Sequence, residues 1–138
     1  MSEESTTLDL AELARRSVQA ASSFEAFVSF LAPDAVFDIS PYGMGTYEGT
    51  NAIRGFWEGW LDAFDEFAVE ATEVLDLGNG VVLSVLVSIG RPRGSSAKVR
   101  VPYAIVGVWV DRLLVRFTMY DDIDEARAVA KRLAEERG

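Results

Sequence analysis

Leu77-Gly78-Asn79-Gly80-Val81-Val82-Leu83-Ser84-Val85-Leu86-Val87-Ser88-Ile89 joins the strongest hairpin signal in the chain to a nearly unbroken apolar run. Asn-Gly suits a two-residue turn in which both central residues take positive φ. The run from Val81 to Ile89 then reads as a strand covered on both faces, because a strand with one face in water alternates with polar residues. Upstream, Phe67, Val69 and Ala71 alternate with Glu70 and Thr72, the period-two pattern of a half-buried strand. Downstream, Gly90 to Ser96 is a basic Gly/Ser loop, Val99 to Val110 a long strand, Asp111-Arg112 a tight turn and Leu113 to Tyr120 a last strand. Four strands joined by short turns make an antiparallel meander.

The segments around the meander are helical. Leu10, Leu13, Ala14, Val18 and Ala21 share one face at spacings of three and four. Ser22-Ser23-Phe24-Glu25 has the capping-box form, with Ser22 as the expected cap, and starts a short helix that ends before Pro33. Ala35 to Ile39 reads as a short strand and Pro41 to Gly49 as a loop. Thr50 or Asn51 is the expected cap of a helix whose aromatic face holds Ile53, Phe56, Trp57, Trp60 and Phe64. Gly55 and Gly59 lie on its other face, where each costs about 1 kcal/mol relative to Ala; they mark either close approach by another element or a tolerated cost. Asp122-Ile123-Asp124-Glu125 starts a terminal helix with acids at its positive end. The order is α-α-β-α-β-β-β-β-α, with residues 1–6 read as disordered and 7–138 as a single domain.

Composition bounds the chemistry. The 138 residues are 49% hydrophobic and 11% aromatic, enough for a core without staples. There is no cysteine, hence no disulfide framework, and no histidine, which removes Ser-His-Asp and Cys-His nucleophile systems. Zinc and copper sites draw on the same missing residues, so no metal site is expected. The net charge of −9 disfavours nucleic acid and anionic membrane as partners. No basic-then-apolar leader opens the sequence and no apolar run approaches the ~20 residues of a membrane span, which points to a cytoplasmic protein.

Four segments carry a family likeness: Phe30-Leu31-Ala32-Pro33-Asp34-Ala35-Val36-Phe37-Asp38, Tyr47-Glu48-Gly49-Thr50-Asn51-Ala52-Ile53-Arg54, Leu75-Asp76-Leu77-Gly78-Asn79-Gly80, and Val115-Arg116-Phe117-Thr118-Met119-Tyr120-Asp121-Asp122. In order and spacing the chain resembles the SnoaL-like branch of the nuclear transport factor 2-like superfamily, the cystatin-like cone fold. The resemblance implies an α+β domain: a curved antiparallel sheet, N-terminal helices packed on its concave face, a cone-shaped pocket and a C-terminal helix. It also implies a homodimer through the exposed sheet face, for which the strand Val81 to Ile89 is suited.

The superfamily's catalytic patterns do not carry over. In the ketosteroid isomerase pattern the general-base position falls on Ile39, the oxyanion-hole acid near Ala104 or Ile105, and the tyrosine near Arg16. In the epoxide hydrolase pattern the Arg-Asp pair would lie within Leu83 to Ser88, which has no charge; the last-strand acid aligns with Thr118, and the water-holding Tyr and Asn with Phe37 and Ile39. The histidine-dependent cyclase and dehydratase sites have no residue to use. What the resemblance leaves is a pocket with Phe37, Ile39, Trp57, Trp60 and Tyr103 on its walls, Tyr42 in a lid loop with Met44 and Tyr47, and Arg116, Thr118 and Tyr120 facing in from the last strand.

Several residues admit two readings. Asp38 is either a general base or an Asx turn holding loop amides; alternation aims it away from the pocket, and a one-residue shift of register reverses that. Arg116 either meets a ligand anion or pairs with Asp121 or Glu73. Asp121 either faces the pocket mouth or belongs to a helix cap. Arg91, Arg93, Lys98 and Arg100 are either an anion site or a solvated hairpin tip. The expected function is binding of a small apolar or aromatic molecule without cofactor. The alternatives are a cofactor-free isomerase, cyclase, dehydratase or hydrolase using Asp38 or Asp121 with Tyr or Arg116, and a dimeric interaction module.

Overall fold

The computed structural model describes residues 9–138, so the stretch read as disordered, 1–6, lies outside the described residues. Helix α1 (Leu10–Gln19) is capped by Asp9, whose carboxylate accepts the Glu12 amide at 2.7 Å. A single 3-10 turn leads to α2 (Phe24–Phe27), and its cap is Ser23 rather than Ser22: Ser23 accepts from the Ala26 amide while Ser22 closes the preceding turn. The chain enters β1 (Leu31–Asp38) directly from another 3-10 turn, so Pro33 sits inside a strand that starts earlier than Ala35. Within the expected loop Thr46–Glu48 forms a short edge strand, β2, paired with Val36 to Asp38.

Helix α3 (Thr50–Asp62) starts from Gly49, not from Thr50 or Asn51. Its glycines are not close-approach sites, since a methyl group at Gly55 or Gly59 would meet nothing within 4 Å. Gly55→Ala and Gly59→Ala are therefore expected to raise stability by about 0.5–1 kcal/mol each through helix propensity. Higher urea midpoints at unchanged m-value would show this; a lower midpoint would reveal a contact the fold does not contain.

Strands β3 (Phe64–Gly78), β4 (Val81–Pro92), β5 (Val99–Val110) and β6 (Leu113–Tyr120) form the meander, and α4 (Ile123–Arg137) follows. Two of its turns are left-handed at both central residues: Asn79 and Gly80, at φ 60° and 83°, favour that backbone, whereas in Asp111 and Arg112, at 52° and 66°, the arginine adopts it against its preference. The six strands run in the order β2-β1-β6-β5-β4-β3. The sheet is mixed rather than purely antiparallel: β1 lies parallel to β6, with Phe37 opposite Phe117. A parallel neighbour cannot be joined by a hairpin, and most of the chain separates these two strands. Bulges at Ala71/Glu73 and Val108/Trp109 break the ladder and bend it.

Each sheet face has its own core. On the concave side Phe37, Ile39, Val82, Trp109 and Phe117 pack with Leu13, Ala14, Phe24, Phe27 and Ile53 of the first three helices. On the convex side Val81, Leu83, Val85, Ala104 and Val106 meet Ala126, Ala130 and Ala134 of α4. Three alanines one turn apart let that helix sit close to the strands. The run from Val81 is thus covered on both faces as its composition indicates, and α4 occupies the outer side expected to serve a dimer at Val81, Leu83 and Val85. Val87 and Ile89 beyond it are only half-buried. Among the described residues no helix is long and apolar enough to cross a membrane.

Candidate functional site: an apolar cavity under α3

The concave face, α1 and α3 enclose a cavity of about 220 Å³. That exceeds the ~150 Å³ engineered cavity that admits benzene. Alternation puts Val82, Ser84, Leu86 and Ser88 of β4 and Val101, Tyr103, Ile105 and Gly107 of β5 on its floor. Phe37 and Ile39 line it from β1, and Phe117 and Met119 from β6. Phe56, Trp57 and Trp60 form the roof, with Tyr42 and Met44 at the mouth. Among the described residues no Asp, Glu, Lys or Arg lines this space.

The roof is fixed by packing as much as by the ligand it could hold. Trp57 stacks on Phe27 at a 4.6 Å centroid distance and its indole N–H donates to the Ala21 carbonyl at 2.9 Å. Phe37 stacks on Phe117 at 4.5 Å and meets Phe56 edge-on at 5.5 Å. The mouth is open: Tyr42, Met44 and Trp60 are 39%, 50% and 44% exposed.

Six of the nine residues expected on the pocket wall are there: Phe37, Ile39, Tyr42, Trp57, Trp60 and Tyr103. Arg116, Thr118 and Tyr120 are not, and this corrects the expectation. Because Phe117 is opposite Phe37 across the parallel ladder, Phe117 and Met119 take the concave side and their neighbours take the convex one. The apolar-polar alternation of Val115, Phe117 and Met119 with Arg116, Thr118 and Tyr120 is the signal for this arrangement, and it outranks a borrowed alignment. Phe117, Met119, Ser84 and Ser88 are wall residues that sequence reasoning did not single out, and Phe56 joins them from the aromatic face read for α3.

The weak catalytic candidates fall outside the cavity. Asp38 accepts the Ser40 amide at 2.9 Å, the Asx turn of the second reading, and the Arg116 guanidinium at 2.7 Å. Asp38, not Asp121 or Glu73, is therefore the partner of Arg116; Glu73 pairs with Arg127 of α4. Burial pushes the Asp38 pKa up, but the Ser40 hydrogen bonds and the Arg116 charge outweigh it and hold the carboxyl below its ordinary range. Asp121 is exposed at the end of β6, while the cap of α4 is Asp122, which accepts the Glu125 amide at 3.1 Å. The basic hairpin tip is tied to neighbouring acids: Arg91 to Asp65 and Glu66, Arg93 to Asp62, and Lys98 to Glu66.

Tyr103 is the one wall residue with a strongly displaced titration. Burial, and then the nearby Tyr42, raise its phenol pKa far above the ordinary value. A raised folded-state pKa means that the stability from the neutral phenol is complete below pH ~10 and is lost as pH climbs towards the folded value. As the unfolded chain's tyrosine ionises above pH ~10, the loss of stability from this group should steepen towards about 1.4 kcal/mol per pH unit, and Tyr103→Phe should remove that share of the slope. Denaturant midpoints across that range test it; an unchanged slope in Tyr103→Phe would contradict it.

A cone of helices over a bent sheet, with an apolar cavity between them, places the protein among the nuclear transport factor 2-like folds. The profile of the SnoaL-like domain matches residues 14–117, and the chain belongs to that family. Among solved structures it is similar to a hypothetical protein with a ketosteroid isomerase-like fold from Catenulispora acidiphila in complex with trimethylamine (18% identity over 79% of this chain and 84% of that one, TM-score 0.70). It is also similar to a protein of the nuclear transport factor 2-like fold from Burkholderia pseudomallei (18%, 90% and 98%, 0.70). TerC, co-crystallized with polyporic acid, gives 14% identity over 88% and 98% with a TM-score of 0.69. At these identities the likeness carries the fold alone. A comparison with curated proteins gives no match.

Proposed function

We propose that this SnoaL-like domain binds a small apolar or aromatic molecule in the cavity beneath α3, without a metal or organic cofactor. The observation that carries the reading is the wall itself: a preformed space of about 220 Å³ bounded by aliphatic and aromatic side chains and free of charge among the described residues. Sites for small molecules are concave and mostly apolar with few polar groups. The two relatives seen with trimethylamine and polyporic acid are in keeping with a fold that accepts small organic molecules. Binding is favoured over acid-base catalysis because the acid expected to act, Asp38, is held ionised on the far side of β1 by Arg116 and the Ser40 amide.

Titration with naphthalene tests this. Saturable shifts of the Trp57 indole N–H resonance and a rise in thermal midpoint are expected, since a ligand bound only by the native state stabilises it by RT ln(1 + [L]/Kd). Leu86→Trp, which places a large ring in the space from the floor, should fold, as judged by circular dichroism, and lose the response. An absent response in the wild type, or an equal one in a folded Leu86→Trp, would contradict the proposal.

A further inference from the structure

Three hydroxyls interrupt the hydrocarbon floor of the cavity, and they come from one small area of the sheet. Leu86 is directly opposite Tyr103, while Ser84 and Ser88 are opposite Ile105 and Val101. Tyr103 is therefore the diagonal neighbour of both serines, at a spacing of about 7–8 Å between backbones that a long aromatic side chain can span. The serines stand where the pattern calls for apolar residues: on the inner face of β4 they alternate with Val82 and Leu86.

Two other polar groups on the wall are already satisfied within the protein. The Ser17 hydroxyl donates to the Ala14 carbonyl at 2.7 Å, and the Trp57 N–H donates to Ala21. The hydroxyls of Ser84, Ser88 and Tyr103 make no hydrogen bond to a protein group among the described residues, and no buried side-chain oxygen is left without a partner there, so these oxygens open onto the cavity. Ser84 and Tyr103 are nonetheless only 6% and 8% exposed. An occupant that covers these hydroxyls without pairing them takes on about their desolvation penalty, so the floor favours one that hydrogen-bonds.

We propose that the cavity selects a neutral ring compound bearing one hydrogen-bonding oxygen, with that oxygen between Tyr103 and its diagonal neighbour Ser84 and the rings against Phe37, Phe56 and Trp57. This rests on the binding function proposed above and adds an orientation and a polarity to it. Burial keeps the Tyr103 phenol protonated through the neutral range, so it is available as a donor to a carbonyl or ether oxygen. The serines can donate or accept. An anion would enter without a cation to meet it and a cation without a carboxylate, and either would lose its hydration uncompensated.

The test compares matched probes of one shape: tetralin, 1-tetralone and tetralin-1-carboxylate, titrated into the wild type and into Tyr103→Phe and Ser84→Ala. The wild type is expected to bind the ketone about tenfold more tightly than the hydrocarbon, the range of one well-made hydrogen bond, and the carboxylate more weakly than the ketone. In Tyr103→Phe the ketone-to-hydrocarbon ratio should fall towards one, and Ser84→Ala should reduce it. Equal affinities for ketone and hydrocarbon in the wild type would overturn the inference while leaving the apolar cavity as a binding site. The same holds for carboxylate binding as tight as the ketone. No binding of any of the three would overturn both.

Discussion

Phe37→Ala should remove about 3–5 kcal/mol of unfolding free energy, the range for truncating a fully packed phenylalanine. Phe37 is 1% exposed and sits where β1, β6 and α3 meet. Its ring lies flat on Phe117 across the parallel pair and touches Phe56 and, at 5.8 Å between centroids, Trp57. Truncation therefore removes contacts to sheet and roof together. It also enlarges a space that already exists, so the surroundings cannot collapse to recover the loss. Urea unfolding measures this directly. A drop below about 1 kcal/mol would mean that the roof packs without Phe37, and with it that the parallel β1/β6 register is wrong.

Gly80→Ala is expected to lower stability by about 2–5 kcal/mol, although it adds a single methyl group at a surface turn. Part of this is the positive φ of 83°, which an L residue adopts at about 1–2 kcal/mol. The remainder is steric: the new Cβ would press into the Trp109 carbonyl oxygen and lie 3.6 Å from its carbon. That carbonyl is backbone of β5, pinned by the Trp109 amide donating to the Gly80 carbonyl at 2.8 Å. The turn is further tied to α4 by the Asn79 side-chain amide on the Ala134 carbonyl at 2.6 Å and by Arg137 on the Asn79 carbonyl at 2.9 Å. Gly45 is the natural control, with φ of 80° but nothing within 4 Å of an added Cβ. Its alanine variant should lose only the conformational part. Equal urea midpoints for the two variants would show that the Gly80 contact is relieved at no cost.

The meander was legible because its information is local. Asn79-Gly80 and Asp111-Arg112 name their own turns, the period-two pattern names the strands, and Asp122 with Glu125 names the start of the last helix. Helix caps were legible to within a residue, as Ser23 for Ser22 and Gly49 for Thr50 show, because several neighbouring residues had the chemistry of a cap. Two features were hidden. The pairing of β1 with β6 joins segments about eighty residues apart, and nothing in either strand states its partner. The face of β6 was misassigned for a related reason: one step of register exchanges Arg116, Thr118 and Tyr120 for Phe117 and Met119, and only the neighbour across the ladder fixes that step. Ser84 and Ser88 passed unnoticed because a small polar residue in an apolar strand looks like tolerated noise until the floor of a cavity is found beneath it.

The central claim, that the cavity under α3 holds a small ring compound, is tested most directly by a crystal structure of the protein grown with 2-bromonaphthalene. The bromine's anomalous signal locates the molecule without interpretation of weak density. The expected result is a single strong peak enclosed by Phe37, Trp57 and the β4–β5 floor, with the rings parallel to one of the roof aromatics. A peak confined to the outer surface, or none with Phe56 and Trp60 folded down into the space, would contradict the account.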